Sequence, residues 1–388
     1  KPFIATNIAG HAYHTNSAGF RGQEEYSVGS HPELRILVLG DSRTYGMAVS
    51  DDMTYCSVLQ AELRGQDCDV EVINAGTPGY TALQCRAKME ELLPYKPDIA
   101  VFAVGYNDRR YIVLTPPDSP QSFRRIALLR SFADVLHRSN TLSAISSKLG
   151  KGTLETLRDN PPLLNTVDVR VPPAVFRDET ERFLSICHKN NIQPLFLLLS
   201  QNPTVFNAAE KAAAEIEHEK YAEALETLYE STEERHVAAF AYSNYLEGLC
   251  YESMGQKEEA QERFLDHTPT GSLHGESVLR SQRTYFEILH TIASEERVPV
   301  LTGRDAIRSV NEALDDPLVR GLLKRADKVC ESDLGEFFAS RFIDECHYDT
   351  LGHVLIGKKL ARKIRETCLN PSTDVPATDS AKPHSLQQ

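Results

Sequence analysis

The chain has 388 residues, of which 41% are apolar and 25% charged, with a formal net charge of -13. This is the composition of a globular protein large enough to bury its own core, and an acidic chain without a Lys/Arg-rich block does not suit a nucleic-acid surface. No stretch approaches the ~18 consecutive apolar residues of a membrane span, and the length allows one large domain or two smaller ones. The chain begins at Lys1 rather than Met. That is expected of a shortened or mature form, and removal of an upstream signal or anchor would place the protein in a bacterial cell envelope or periplasm.

Residues 1–33, rich in Gly, His, Ser and Asn, read as an irregular N-terminal arm. Arg35 to Leu39 is a short apolar run ending at Gly40, as expected of a buried parallel strand. Val70 to Ile73, closed by Asn74, and Ile99 to Val104, closed by Gly105, repeat the pattern. Pro97 sits just ahead of the third run, where a missing N–H is tolerated. Thr54 to Leu63 and Leu83 to Leu93 carry helical periodicity. Later come a helix over Val175 to Asn190, a strand over Leu195 to Leu199, a helix over Arg283 to Glu296, a strand over Val298 to Leu301 and a closing helix over Leu351 to Glu366. Strands alternating with helices predict an α/β fold, with a parallel sheet of about five strands covered on both faces. Ligands bind such sheets beyond the carboxyl ends of the strands.

Two segments interrupt this core. Arg109 to Pro173 holds Pro-rich turns and a helix near Ser122 to Leu136, placed over the site as a lid. Residues 206–267 read as consecutive helices. Gly248, Tyr251, Gly255, Ala260 and Phe264 fall at the spacing of a tetratricopeptide helix pair. Ala224 and Leu228 echo Ala260 and Phe264 with a period of 36 residues, against about 34 in such arrays. The domain reading is therefore an arm (1–33), a core (34–205 and 268–369), a tetratricopeptide-like insert (206–267) and a disordered tail (370–388), which is too poor in apolar residues to pack. The eight cysteines form no CxxC pair and no zinc-finger spacing. They read mostly as free thiols buried as small hydrophobes.

Four short motifs carry chemistry. Gly40-Asp41-Ser42 follows the first strand, and a serine at a strand-to-helix turn can meet both a base and an oxyanion hole. It is not the G-x-S-x-G elbow, because Thr44 stands where that motif has Gly. Asn74 through Gly79 follows the second strand, where Gly76 or Gly79 could offer a backbone N–H. Gly105-Tyr106-Asn107-Asp108 follows the third, where the Asn107 amide could donate to an oxyanion. Asp344-Glu345-Cys346-His347 precedes the last helix, and a carboxylate three residues before an imidazole can fix its tautomer. Each alone is equally well an ordinary turn or helix cap.

In this order and context the four motifs resemble the blocks of the SGNH (GDSL-type) serine hydrolases. Tyr348 through His353 is similar to the continuation of the last block, and Asn16 through Gly22 resembles an arm found in a bacterial branch of the family. The similarity spans roughly residues 14–110, 170–200 and 280–365. It implies a three-layer α/β/α sandwich of flavodoxin-like topology and an ester hydrolase, and no metal or organic cofactor is implied. It also implies Ser42 as nucleophile, His347 as general base and Asp344 orienting it. The oxyanion hole would comprise the Ser42 N–H, the Gly79 N–H and the Asn107 side chain. Gly79 is preferred over Gly76 because the family places its glycine five residues after the block's Asn, here Asn74. One departure is Arg43, where the family often carries an apolar residue. With Arg109 and Arg110 it could bind an anionic substrate such as an acidic glycan ester, or simply pair with nearby carboxylates. Cys346 is expected to pack or to form a disulfide with Cys330. The substrate would be a small, lipid or O-acylated glycan ester. Acyl transfer to a sugar hydroxyl, or a scaffold docking a protein partner through residues 206–267, stand as alternatives.

Overall fold

The computed structural model describes residues 4–8, 11–30, 32–47, 49–64, 69–109, 111–112, 168–230, 237–266, 282–324, 334–344 and 346–369. The arm opens with a short antiparallel hairpin, β1 (Ile4–Ile8) and β2 (His11–His14), where an irregular segment was expected. β3 (Leu34–Gly40) leads into the single-turn α1 (Ser42–Tyr45), then α2 (Tyr55–Arg64), β4 (Val70–Asn74), α3 (Ala82–Leu92) and β5 (Ile99–Ala103). The two-residue strands β6 (Tyr111–Ile112) and β7 (Asp168–Val169) pair antiparallel and bring the ends of the first insert together. The lid helix expected near Ser122 to Leu136 lies outside the described residues, as does the tail.

The chain then runs through α4 (Pro173–Lys189) and β8 (Gln193–Leu198) into four helices, α5 (Pro203–Glu217), α6 (Tyr221–Glu230), α7 (Val237–Ser253) and α8 (Lys257–Asp266). The core resumes with α9 (Gln282–Glu296), β9 (Val300–Thr302) and three short helices that periodicity did not pick out, α10 (Gly303–Arg308), α11 (Pro317–Leu323) and α12 (Leu334–Ala339). It closes with α13 (Thr350–Ile364). Among the described residues no helix is long and apolar enough to cross a membrane.

The five long-range strands form one all-parallel sheet in the order β4-β3-β5-β8-β9. Side chains alternate across it, as the pleat requires. Ile36 and Val38 face one core with Val101, Leu195 and Leu197, covered by α2 and α13. Leu37 and Leu39 face the other with Phe102, Phe196 and Leu198, covered by α3, α4 and α9. Each fully buried side chain of this size contributes about 1.5–3 kcal/mol, so two such layers hold the sheet flat against its helices. Phe102 stacks on Phe183 at 4.3 Å between centroids. The helices α5–α8 carry a separate small core of Ala209, Ala212, Ala224, Leu228, Leu246 and Cys250. This helical segment begins at Pro203, three residues earlier than periodicity suggested, because Pro is well tolerated in the first turn of a helix.

The sheet order reverses direction at β3, with β4 on one side and β5 on the other. In sheets of this order the ligand crevice lies at the switch point, beyond the carboxyl ends of the strands. Gly40 closes β3 there. A Cβ at this position would meet the Ala103 carbonyl oxygen at 2.8 Å and collide with the Thr44 side chain. Gly40→Ala should therefore lower unfolding stability by about 1–3 kcal/mol, the usual cost of overpacking. A denaturant midpoint unchanged from the parent would show that the neighbours yield freely.

Candidate active site

Asp41 occupies the N-cap of α1 in extended conformation, and its carboxylate accepts from the Arg43 N–H at 2.9 Å. That cap starts the helix at Ser42 and leaves the Ser42 side chain half-buried at the crevice. Arg43, expected as a possible substrate contact, instead turns inward. Its side chain is buried, its Nε donates to Asp41 Oδ1 at 3.0 Å, its Nη2 to Asp41 Oδ2 at 2.7 Å, and its Nη1 to the Leu199 carbonyl just past β8. The guanidinium also lies 4.9 Å from the centroid of the Tyr106 ring. Of the two readings left open for Arg43, the geometry is that of pairing with a carboxylate.

The loop after β4 is shaped by Asn74. Its Nδ2 donates to the Thr44 carbonyl at 2.9 Å, and its Oδ1 accepts from Gly76 N at 3.0 Å. The Gly76 N–H is thereby spent, and a Cβ on Gly76 would run into the Thr44–Tyr45 backbone. Gly76 is thus a close-packing residue. Gly79 differs. It follows Pro78 in a turn closed by Tyr80 N donating to Thr77 O at 3.1 Å, and its φ of 79° is the left-handed value that this turn type demands of its third residue. Space around its Cα is open, and its N–H has no partner among the described residues.

After β5, the Asn107 side chain is buried and its Nδ2 donates to the Tyr80 carbonyl at 3.1 Å, beside Gly79. Asp108, which sequence reasoning passed over, ties this loop down. It accepts from Ala82 N at 2.8 Å and from Gly105 N at 3.0 Å. Burial pushes its carboxyl pKa up to about 7, against the pull of these two donors and of Arg170. Arg170 is a second unforeseen residue, donating to the Gly79 carbonyl at 2.6 Å. No local pattern marks it, since its partner lies 91 positions away. Arg109 is buried against Tyr106, contacts Gln201 and stands 3.7 Å from Glu210 of α5. It ties the helical insert to the core. Arg110 lies outside the described residues.

The fourth motif forms a tight loop. Asp344 Oδ1 accepts from both Cys346 N (2.8 Å) and His347 N (2.7 Å), and Asp349 caps α13 by accepting from Gly352 N at 2.7 Å. This geometry aims the imidazole across the sheet. His347 Nδ1 stands 2.7 Å from Asp344 Oδ2, and Nε2 stands 2.7 Å from Ser42 Oγ. When the ring is neutral with its proton on Nδ1, facing the carboxylate, Nε2 can offer its lone pair to the serine hydroxyl. Burial opposes protonation of His347, but the neighbouring Cys346 and Asp344 outweigh it and push the imidazole up to about 10. Burial would raise Asp344, yet its hydrogen bonds and the His347 charge hold it below the ordinary carboxylate value. His353, six residues on, is the opposite case. It is buried, stacks on Tyr55 and accepts from Tyr55 N at 3.2 Å, and burial with the nearby His347 and Arg21 charges drives it down to about 3. Cys346 is a free, buried thiol, and Cys330 lies outside the described residues.

Arg43→Ala would strand the Asp41 carboxylate, 1% exposed, without its partner. Breaking a buried pair from one side typically costs about 3–5 kcal/mol. Chemical denaturation should read a loss of this size, and a loss under about 1 kcal/mol would show that water or another donor replaces the guanidinium.

Residues 38–274, which hold the first three motifs, match the GDSL-like Lipase/Acylhydrolase family. No curated protein matches the chain. Among solved structures it is similar to a GDSL-like lipase from Bacteroides thetaiotaomicron VPI-5482, at 10% identity and a TM-score of 0.34, covering 85% of this chain and 89% of the other. It is also similar to the acetyl xylan esterase AlAXEase, at 12% identity and a TM-score of 0.36, covering 85% and 98%. A third likeness is to AlinE4, an SGNH-hydrolase family esterase, at 16% identity and a TM-score of 0.27, covering 69% and 96%. These likenesses are too distant to bear on substrate. Asp344 and His347 fall beyond the matched span and are joined to it by the contact with Ser42. The matched span covers more than half of the sequence, and the chain belongs to the GDSL-like lipase/acylhydrolase family.

Proposed function

We propose that this ester hydrolase works through Ser42, His347 and Asp344 by way of an acyl-enzyme. The observation that carries the reading is the unbroken chain of two 2.7 Å contacts from Asp344 Oδ2 through the imidazole to Ser42 Oγ. The Ser42 oxygen adds to the ester carbonyl while its proton passes to His347 Nε2. Asp344 keeps the ring in register and stabilises the imidazolium. The developing oxyanion is met by the N–H groups of Ser42 and Gly79 and by the Asn107 amide, which would exchange its bond to Tyr80 for one to the oxyanion. The imidazolium then protonates the departing alkoxide, and water, deprotonated in turn by Nε2, releases the acid from Ser42. Arg170 and Asp108 hold the Gly79 and Asn107 loops from behind as positioning residues.

Ser42→Ala should abolish the burst of p-nitrophenol from p-nitrophenyl acetate and lower kcat by on the order of 10⁴–10⁶, with the circular dichroism spectrum unchanged. A burst that persists would remove Ser42 as nucleophile. Asn107→Ala should lower kcat on the order of 10²–10³ if its amide meets the oxyanion, and a rise confined to KM would assign it to ground-state binding instead. The base must be neutral to act, and the groups around His347 raise its pKa toward about 10. Activity should therefore climb as pH rises from neutral into the alkaline range and level off once the imidazolium is deprotonated. A profile already flat at neutral pH would contradict this.

A further inference from the structure

Cys346 makes and breaks no bond in the hydrolysis described above, yet it stands among the groups that carry it. Its Sγ lies 3.6 Å from His347 Nδ1 and 4.0 Å from Nε2. The ligating atoms of Asp344, Cys346 and His347 all fall within 4.8 Å of one another. A thiolate, an imidazole and a carboxylate make a donor set suited to Zn²⁺ and not to Mg²⁺ or Ca²⁺, which take oxygen. Zinc bonds of about 2.0–2.3 Å in a tetrahedral site set ligands roughly 3.5 Å apart. The sulfur–imidazole separation already has that value. The carboxylate–imidazole pair, now a 2.7 Å hydrogen bond, must open by only about an ångström. Asp344 stays anchored through Oδ1 to the N–H groups of Cys346 and His347, and Oδ2, which faces the His347 ring, is the oxygen that the metal would take. A water completes the fourth position.

We propose that Asp344, Cys346 and His347 form an inhibitory site for a thiophilic divalent cation, Zn²⁺ above all. The inhibition, though not the binding, rests on the roles proposed for Ser42 and His347. The metal takes the Nδ1 position and bonds to Asp344 Oδ2 and Cys346 Sγ. The Cys346 thiol loses its proton to solvent. The ring proton displaced from Nδ1 moves to Nε2. An Nε2–H now points at Ser42 Oγ, 2.7 Å away, and cannot accept the hydroxyl proton. Nucleophilic attack stops until the metal leaves.

Co²⁺ serves as the probe, because a cobalt–thiolate bond adds a near-ultraviolet charge-transfer band that is read without any turnover. The chelator-stripped protein should take up one equivalent of Co²⁺ with this band, Zn²⁺ should displace it, and Zn²⁺ should inhibit hydrolysis over the same concentrations, reversed by EDTA. Cys346→Ala should keep hydrolysis on the alkaline plateau, lose the band and raise the inhibitory Zn²⁺ concentration more than about tenfold, since even partners that only orient a metal ligand cost that much. The near-isosteric Cys346→Ser answers the same question should the alanine variant fold poorly. Ser42→Ala should bind Co²⁺ as the parent does, so a failed esterase reading cannot be mistaken for a failed metal site. Absence of the thiolate band in the parent, or equal Zn²⁺ inhibition of parent and both Cys346 variants, would overturn the proposal.

Discussion

A hydroxyl near the start of the chain and an imidazole near its end stand 2.7 Å apart across 305 positions of sequence. That hydrogen bond survives only if the loops carrying the two groups are held to within a few tenths of an ångström. The parallel sheet supplies the reference frame. β3 lies between β4 and β5, so the turns after all three strands open on one crevice. α13 packs on one face of that sheet, with Val354, Leu355, Leu360 and Ile364 buried against α2 and the strands. Its amino end therefore delivers the Asp344–His347 loop to the same edge.

Apolar packing positions helices to within a turn's slack, and buried polar groups set the finer geometry. Arg43 clamps Asp41 and reaches the Leu199 carbonyl, joining the ends of β3 and β8. Asp108 joins the Asn107 loop to the start of α3. Arg341 pairs with Asp349 at 3.1 Å, and Tyr348 donates to the Ser200 carbonyl at 2.9 Å, which locks the base of the histidine loop. A buried ion pair is a weak source of stability. Its directional geometry is what serves a site in which a one-ångström error is costly. The same economy separates two imidazoles six residues apart. His353 sits among apolar groups and stays neutral, whereas His347 faces a carboxylate and gains a proton readily.

The helices α5–α8 pack around their own core and meet the catalytic half of the molecule through polar contacts. Gln201 stands 3.0 Å from Glu210, and Arg109 bridges toward both. The four helices pack as two hairpins, α5 on α6 and α7 on α8. The arm also docks tightly. Arg21 donates to the Tyr45 and Val49 carbonyls and lies over the Tyr13 and Tyr45 rings, so the segment supports the back of the Ser42 turn.

Strand positions, the main helices and the four motifs were legible in the order of residues, because they depend on near neighbours. Buried parallel strands show as unbroken apolar runs. The cap formed by Asp41 and the turn through Pro78-Gly79 are set by atoms two or three positions apart. Orientation of the arginines was not legible, since Arg43 finds Leu199 156 positions away and Arg109 finds Gln201 92 positions away. The family spacing already preferred Gly79 to Gly76, but the physical reason, the Thr44–Tyr45 backbone beside one and open space beside the other, lay in the fold. Asp108 and Arg170 escaped for the same reason. Local chemistry is written in short-range pattern, while the direction in which a long polar side chain points is settled by whichever partner the folded sheet brings within hydrogen-bonding reach.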